Sequence, residues 1–576
     1  MQNNWIRNTR HRLADADSLL PLSILGVVSG FSCALVILLF RYLIETPSAL
    51  WLPNNDAENF EALPQWAHFA LPVMGAIIIG LFLSRMKPEN SRTGIVHVIT
   101  RFHLDHGHLP LKNALVQFFG GAFAIATGQS GGREGPAIHL GAAANSLLGQ
   151  KLMLPNNSIR LLVGCGIAAA IAASFNTPIA GVIFAMEVVM LEYTVGGFIP
   201  VMLATITSTA MTRAVHGSEM IFSIPPISMA SLWEIPFIAL LGLAVGCCAA
   251  LFMVILKTAL RYNDKPILPR MVLAGLITGC CALLVPEIMG IGYDSLNAAL
   301  ANKLPLTVLL LLIIAKIIAT ATSSGLGMPI GLIGPNLLIG ACIGSAMGDL
   351  GVNLFPDLAS NHSFYVLLGM GAMMGAVLNA PLAALMALLE FSNDTSMIFP
   401  GMLAITIATL TNSELFNQKS AHQTVFQHIK LLLPTDPMSL ALQRNSVASV
   451  MQRSLCTTPP QMTADQAKLL LKENTQWYVV IDDANRPINL IAGVDMIDHL
   501  EKNIGNNTVY LLDGSLAMQP LTALNIQATL KQALNKMDDN KVNALFVSGY
   551  ISGSYPDNGI VTRDDIEQYY KKPPSY

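Results

Sequence analysis

Charge is what this chain has least of. Only 12% of its 576 residues are Asp, Glu, Lys or Arg, about half the share usual in a soluble domain. Such a chain has too few charges to cover a water-facing globule of its length. The net charge of −3 says nothing about nucleic acid, and no stripe of Lys and Arg interleaved with aromatics occurs, so no nucleic-acid partner is expected. Of the eight cysteines, seven (Cys33, Cys165, Cys247, Cys248, Cys280, Cys281 and Cys342) lie in apolar runs. They lack the polar spacing of a zinc site or a secreted disulfide framework and read as small packing residues. The apolar segments hold neither a nucleophile–base pair nor metal-ligand spacing, which argues against an enzyme working inside a membrane.

What fills the chain instead is hydrocarbon, with 53% hydrophobic residues and a mean hydropathy of +0.53. Apolar runs recur at 19–40, 69–83, 235–256 and 304–321, each long enough, or nearly so, to cross a core of about 30 Å as a helix. The first exceeds the apolar core of a cleaved signal, and further spans follow it. A polytopic membrane protein is expected. The apolar character stops near residue 430, and residues 437–576 carry 26 of the 69 charged side chains. The reading is therefore an N-terminal tail (1–18), a membrane domain (19–430), a proline-bearing linker LLLPTDPMS (431–439) and a polar domain (440–576).

Loop charge sets the expected orientation. Arg7, Arg10 and Arg12 precede the first run, while residues 45–66 contain Glu45, Asp56, Glu58 and Glu61 and no Lys or Arg. Positive residues stay inside, so the N-terminus is expected in the cytoplasm, and the C-terminal domain with it if the spans are even in number. Trp51 and Trp66 flank the acidic loop as interfacial anchors would.

The membrane region repeats itself. GPAIHLGAAANSLLG (135–149) lies on GPNLLIGACIGSAMG (334–348) at an offset of 334 − 135 = 199, and NTPIAGVIFAME (176–187) lies on NAPLAALMALLE (379–390) at 379 − 176 = 203. Two motif pairs in the same order indicate duplicated halves, about 19–215 and 231–415. Duplicated halves with Gly/Pro-interrupted spans point to a site near the midplane, because broken backbone at that depth survives only when buried or lining a cavity. A helix that starts inside the membrane aims unpaired N–H groups and a positive dipole end at what lies ahead, which favours an anion. Gly131, Gly132 and Gly135 allow close backbone approach, Pro136 suits the first turn, and Gly331, Gly334 and Pro335 repeat the pattern. Two such starts would hold an anion without the full charge that would keep it from leaving.

GGREGP (131–136), GLIGP (331–335) and the two Asn-x-Pro helices ending in Glu resemble the CLC family of chloride channels and chloride/proton exchangers, over about residues 20–430. The resemblance implies an all-α polytopic domain of two inverted-topology halves with broken helices. It implies a homodimer in the cell's inner (plasma) membrane with a pathway in each subunit, chloride and protons as partners, and no required cofactor. Glu134 matches the gating glutamate, whose carboxylate mimics the anion and leaves when protonated. The competing role is an ion pair with Arg133. The chloride-binding set implied is Thr93, Gly94, Arg133, Glu134, Gly135, Leu332, Ile333 and His422. Thr93, in RTGIV, stands where the family has a serine, without that loop's first Gly and its Pro. His422 stands where a tyrosine usually closes the inner side, with Phe426 as the alternative. Glu187 matches the helix-ending glutamate and is implied as a gating/proton residue beside Glu134, but Val188 occupies the position where many exchangers carry a second, inner proton-transfer glutamate. Valine cannot relay a proton, so a passive gated channel is the competing mechanism. Lys316, inside an apolar run, is expected to pair structurally. No Asn-rich loop replaces GLIGP, so chloride is preferred to fluoride.

The polar domain has its own repeat. Residues 477–500 and 544–569 each read strand, turn, strand, helix, and amphipathic helices precede them at 463–474 and 527–540. This order resembles a cytoplasmic α/β tandem of CBS domains. Thr562 and Asp565 form a Thr-x-x-Asp pattern that suits either the ribose of an adenine nucleotide or a plain helix N-cap.

Overall fold

The computed structural model describes residues 19–571 apart from 218–221, 223, 226, 228, 432–436, 471, 474, 483, 485, 504–507, 513–515 and 550–557. The expected N-terminal tail (1–18) and most of the 431–439 linker therefore lie outside the described residues. The chain divides into two compact units. One comprises Ser23–Leu148 and Arg160–Leu433; the other gathers Gly149–Ile159 and Pro434–Tyr576 with the start of the chain.

The first unit is helical. Among the described residues, nine helices are long and apolar enough to cross a membrane, and four shorter apolar helices accompany them. They include every run expected from the sequence. Large apolar side chains such as Leu20, Ile24, Leu35 and Leu311 are exposed on them, as surfaces solvated by lipid require. The first helix, Leu19–Trp51, runs straight through Pro47. The loop read as starting at residue 45 thus begins later, and Glu45 sits within the helix. A proline inside a membrane helix is tolerated where neighbours re-satisfy the backbone it frees.

Positions 199 residues apart share a geometry. Gly128 (φ +74) ends the Leu111–Ala126 helix, and Gly327 (φ +92) ends the Leu306–Gly325 helix; 327 − 128 = 199. Left-handed backbone of this kind closes a helix at little cost only for glycine. Gly141 and Gly166 face each other where the Glu134–Lys151 and Asn156–Phe175 helices cross, and Gly340 faces Gly369 in the second half. A Cβ on Gly141 would meet the Gly166 carbonyl at 2.5 Å. Small residues let membrane helices pack backbone to backbone.

The glutamates that end the Asn-x-Pro motifs reach across the duplication. Glu187 accepts from Leu382 N–H (3.2 Å) and Ala383 N–H (2.7 Å), at the start of the Pro381–Ser392 helix. Glu390 accepts from Ile179 N–H (2.9 Å) and Ala180 N–H (2.7 Å), at the start of Pro178–Phe184. Each carboxylate satisfies two orphan donors and meets the positive end of the helix dipole. Lys316, fully buried, donates to the carbonyls of Ile288 (2.9 Å), Gly290 (3.2 Å) and Ile291 (3.4 Å). It is a structural strap, as its position in an apolar run suggested.

The second unit contains strands β1 (Leu455–Thr458), β2 (Gln461–Thr463), β3 (Trp477–Ile481), β4 (Pro487–Ala492), β5 (Thr508–Tyr510), β6 (Met518–Asn525), β7 (Ala544–Ser548) and β8 (Gly559–Thr562). A six-stranded sheet has the order β1-β3-β4-β6-β7-β8. Each copy places a first strand parallel to the leading strand of a hairpin, β1 on β3 and β6 on β7, and the copies join through β4 and β6. The hairpins lead into the Gly493–Lys502 and Arg563–Lys571 helices, the order the sequence repeat predicts.

Candidate functional site

The two broken spans meet tip to tip. Gly132 N–H donates to Gly331 O and Gly331 N–H to Gly132 O, both at 2.8 Å, a single antiparallel bridge between the halves. Directly after it, one helix begins at Glu134 and the other at Ile333. A Cβ on Gly135 would lie 2.6 Å from Gly331 Cα. The glycines are therefore required by the close approach of two main chains.

The Glu134 side chain folds back between these starts and is fully buried. Its Oε2 accepts from Gly334 N–H at 3.2 Å, and its Oε1 accepts from the hydroxyl of Tyr293. The carboxylate thus sits where an anion in front of the second-half helix would sit. It is not paired with Arg133. That guanidinium bonds Glu45 at 2.7 Å and lies over the Tyr293 ring at 5.4 Å from its centroid. Glu45 in turn holds Arg41 at 3.0 Å.

The remaining expected residues fall into three groups. Thr93 is the extended, half-buried residue before the Gly94–Leu104 helix, and its side chain makes no capping bond. Gly94 N–H donates to Gln117 Oε1 (2.7 Å), while Gln117 Nε2 donates to Pro329 O (3.1 Å), so this loop is tied to the second half just ahead of Leu332 and Ile333. His422 is buried in the Ala421–His428 helix, which packs against the Gly94–Leu104 helix, and its Nδ1 has no hydrogen-bond partner. Glu187 stands apart, capping the helix that starts at Pro381. Thr562 and Asp565 belong to the other unit and bind each other. Thr562 N–H and Oγ1 donate to Asp565 Oδ2 (2.8 and 2.7 Å), Asp565 N–H returns to Thr562 Oγ1 (3.2 Å), and Gln452 takes Asp565 Oδ1 at 2.7 Å. That is the helix-cap arrangement.

Sequence reading missed Tyr293, Gln117 and the buried pair His97 and His139, whose ring nitrogens lie 2.9 Å apart. Arg41 and Glu45 carried a usable signal, opposite charges four apart on one helix. Outside the spans, burial pushes the Glu58 carboxyl up to about 7, with Arg133 pulling down and Asp294 pushing up. Burial and the neighbouring Asp294 carboxyl raise Glu61 as well.

Residues 75–413 match the family described as voltage gated chloride channel. The chain belongs to the CLC family. It is 31% identical over 400 residues to a protein of Ralstonia nicotianae described as chloride channel ClcB-like, covering 68% of this chain and 93% of that one. The H(+)/Cl(-) exchange transporter ClcA of Vibrio parahaemolyticus is 26% identical over 422 residues, 71% of this chain and 90% of that one. The solved structure of a eukaryotic CLC transporter covers 96% of this chain and 98% of its own at 18% identity, with a TM-score of 0.57, and shares the fold. As a CLC protein the chain is a multi-pass membrane protein of anion transport.

Proposed function

We propose that this CLC protein is a chloride/proton antiporter gated by Glu134. The observation that carries this reading is the Glu134 carboxylate on the Gly334 N–H, at the start of the opposite half's helix. A carboxylate there competes with chloride for the same donors, and protonation removes its claim to them. One residue thereby serves both ions. The relatives named as exchangers support the same reading. Thr93, Leu332, Ile333 and His422 would line the anion path, chloride being the bound substrate. The family resemblance further supports inverted halves, a homodimer with one pathway per subunit, a plasma-membrane location and a cytoplasmic tandem of CBS domains.

A passive channel is the second reading, favoured by Val188, a half-buried hydrocarbon next to Glu187. Reconstituted protein separates the two. In combined chloride and pH gradients, a reversal potential that shifts with pH means coupled exchange, and one set by chloride alone means a channel. Glu134→Ala is expected to abolish proton movement and keep chloride flux. Intact proton movement in that variant rejects the gate.

A further inference from the structure

The Glu134 carboxylate does not rest on the helix start alone. Its second oxygen is held by Tyr293, a residue that no reading of the chloride path includes. Tyr293 opens the short Tyr293–Leu300 helix behind Gly292, whose φ of +86 turns the chain inward. The ring is buried, packed edge-on against Phe222 with centroids 5.4 Å apart, and covered by Arg133. Its backbone N–H donates to Glu58 Oε2 at 3.2 Å. With ring and main chain both fixed, the hydroxyl has a set position, and it points at the gate.

We propose that Tyr293 is the latch of the gate: its hydroxyl holds the Glu134 carboxylate against Gly334, and breaking that bond sets how fast the gate opens. The inference rests on the antiporter reading and adds its regulation. The bond must break before the side chain can swing, so the latch slows opening. Tyr293 is a positioning residue, since it acts through Glu134.

The charged groups around the pair are Arg133 over the ring, Glu45 and Arg41 behind Arg133, and Glu58 on the Tyr293 amide. Asp294 is the next residue, Glu61 approaches Ser295 Oγ at 3.5 Å, and Lys316 holds the carbonyls of Gly290 and Ile291. Tyr293→Phe leaves all of them in place and keeps the ring packing, so a difference isolates the hydroxyl.

The test uses the full-length protein in liposomes, with chloride and proton fluxes followed from about pH 5 to pH 8. Tyr293→Phe is expected to raise chloride flux at neutral pH about tenfold. In a Glu134→Ala background the same substitution is expected to change nothing, because there is no carboxylate to hold. A chloride flux within about twofold of the native protein would overturn the latch. So would an equal acceleration without Glu134, which would make the hydroxyl part of the pore wall. If Glu134→Ala stops proton movement while Tyr293→Phe is silent, only the latch fails; if Glu134→Ala leaves proton movement intact, the gate itself fails.

Discussion

Replacing Gly331 by alanine places a methyl carbon 2.5 Å from Gly135 N and 2.9 Å from Gly132 O. Both neighbours are main chain of the other half, so no side chain can swing aside and the tips must separate. Separation first breaks the two 2.8 Å hydrogen bonds between Gly132 and Gly331. Each is worth about 1 kcal/mol net, and each of the two donors and two acceptors stranded away from water adds about 1–3 kcal/mol, so a total of at least about 6 kcal/mol is expected. The donor that holds Glu134 lies three residues on, at Gly334, and moves with the tip. A displacement of about 1 Å at such a site costs roughly a hundredfold in function. Gly331→Ala should therefore melt earlier in detergent and lose most chloride efflux from liposomes. Gly217→Ala is the reference, because its φ of +84 is strained for alanine while nothing lies within 4 Å of the new carbon; it should cost only about 1–3 kcal/mol. If Gly331→Ala melts and transports like the native protein, the two halves do not meet as described.

Two further outcomes follow from the reciprocal caps and the outer loop. Glu187→Gln and Glu390→Gln each weaken a charge-assisted cap by about 1 kcal/mol and should lower the melting point equally, with proton-to-chloride stoichiometry unchanged; a loss of proton flux confined to Glu187→Gln would give that residue a transport role. Glu58, pushed by burial from the usual 4.5 up to about 7, binds its proton more tightly in the folded chain. Folding stability should therefore fall as pH rises through that window, by at most about 3 kcal/mol. Glu58→Gln, which cannot titrate, should remove this pH dependence in melts at pH values either side of the window, and an unchanged slope would assign it to other groups.

Much of the fold was legible because it is written locally. GREGP and GLIGP carry the glycines and prolines of broken helices, and the offsets 199 and 203 recur in the contacts of Gly141 with Gly166 and Gly340 with Gly369. The strand–helix order of the polar domain was equally plain. The wiring around Glu134 was not. Tyr293 meets Glu134 across 159 residues, and a lone tyrosine behind glycine has no periodicity that marks it. Glu45 was hidden by Pro47, which reads as a helix stop in water but stays inside the first span. Arg133, the charge beside Glu134 in sequence, turned out to be occupied by Glu45, since an intramembrane cation takes a carboxylate that the fold supplies.

The crossed caps bear on how the chain is made. The amides at Ile179 and Ala180 find their acceptor on Glu390, 211 residues after Ile179, so a ribosome must deliver the second half before the first can finish. Until then a pair of bare amide donors waits at the tip of the Pro178 helix. Neither half, expressed alone, contains what it needs to complete itself, and assembly in the bilayer is obliged to be a late, joint event.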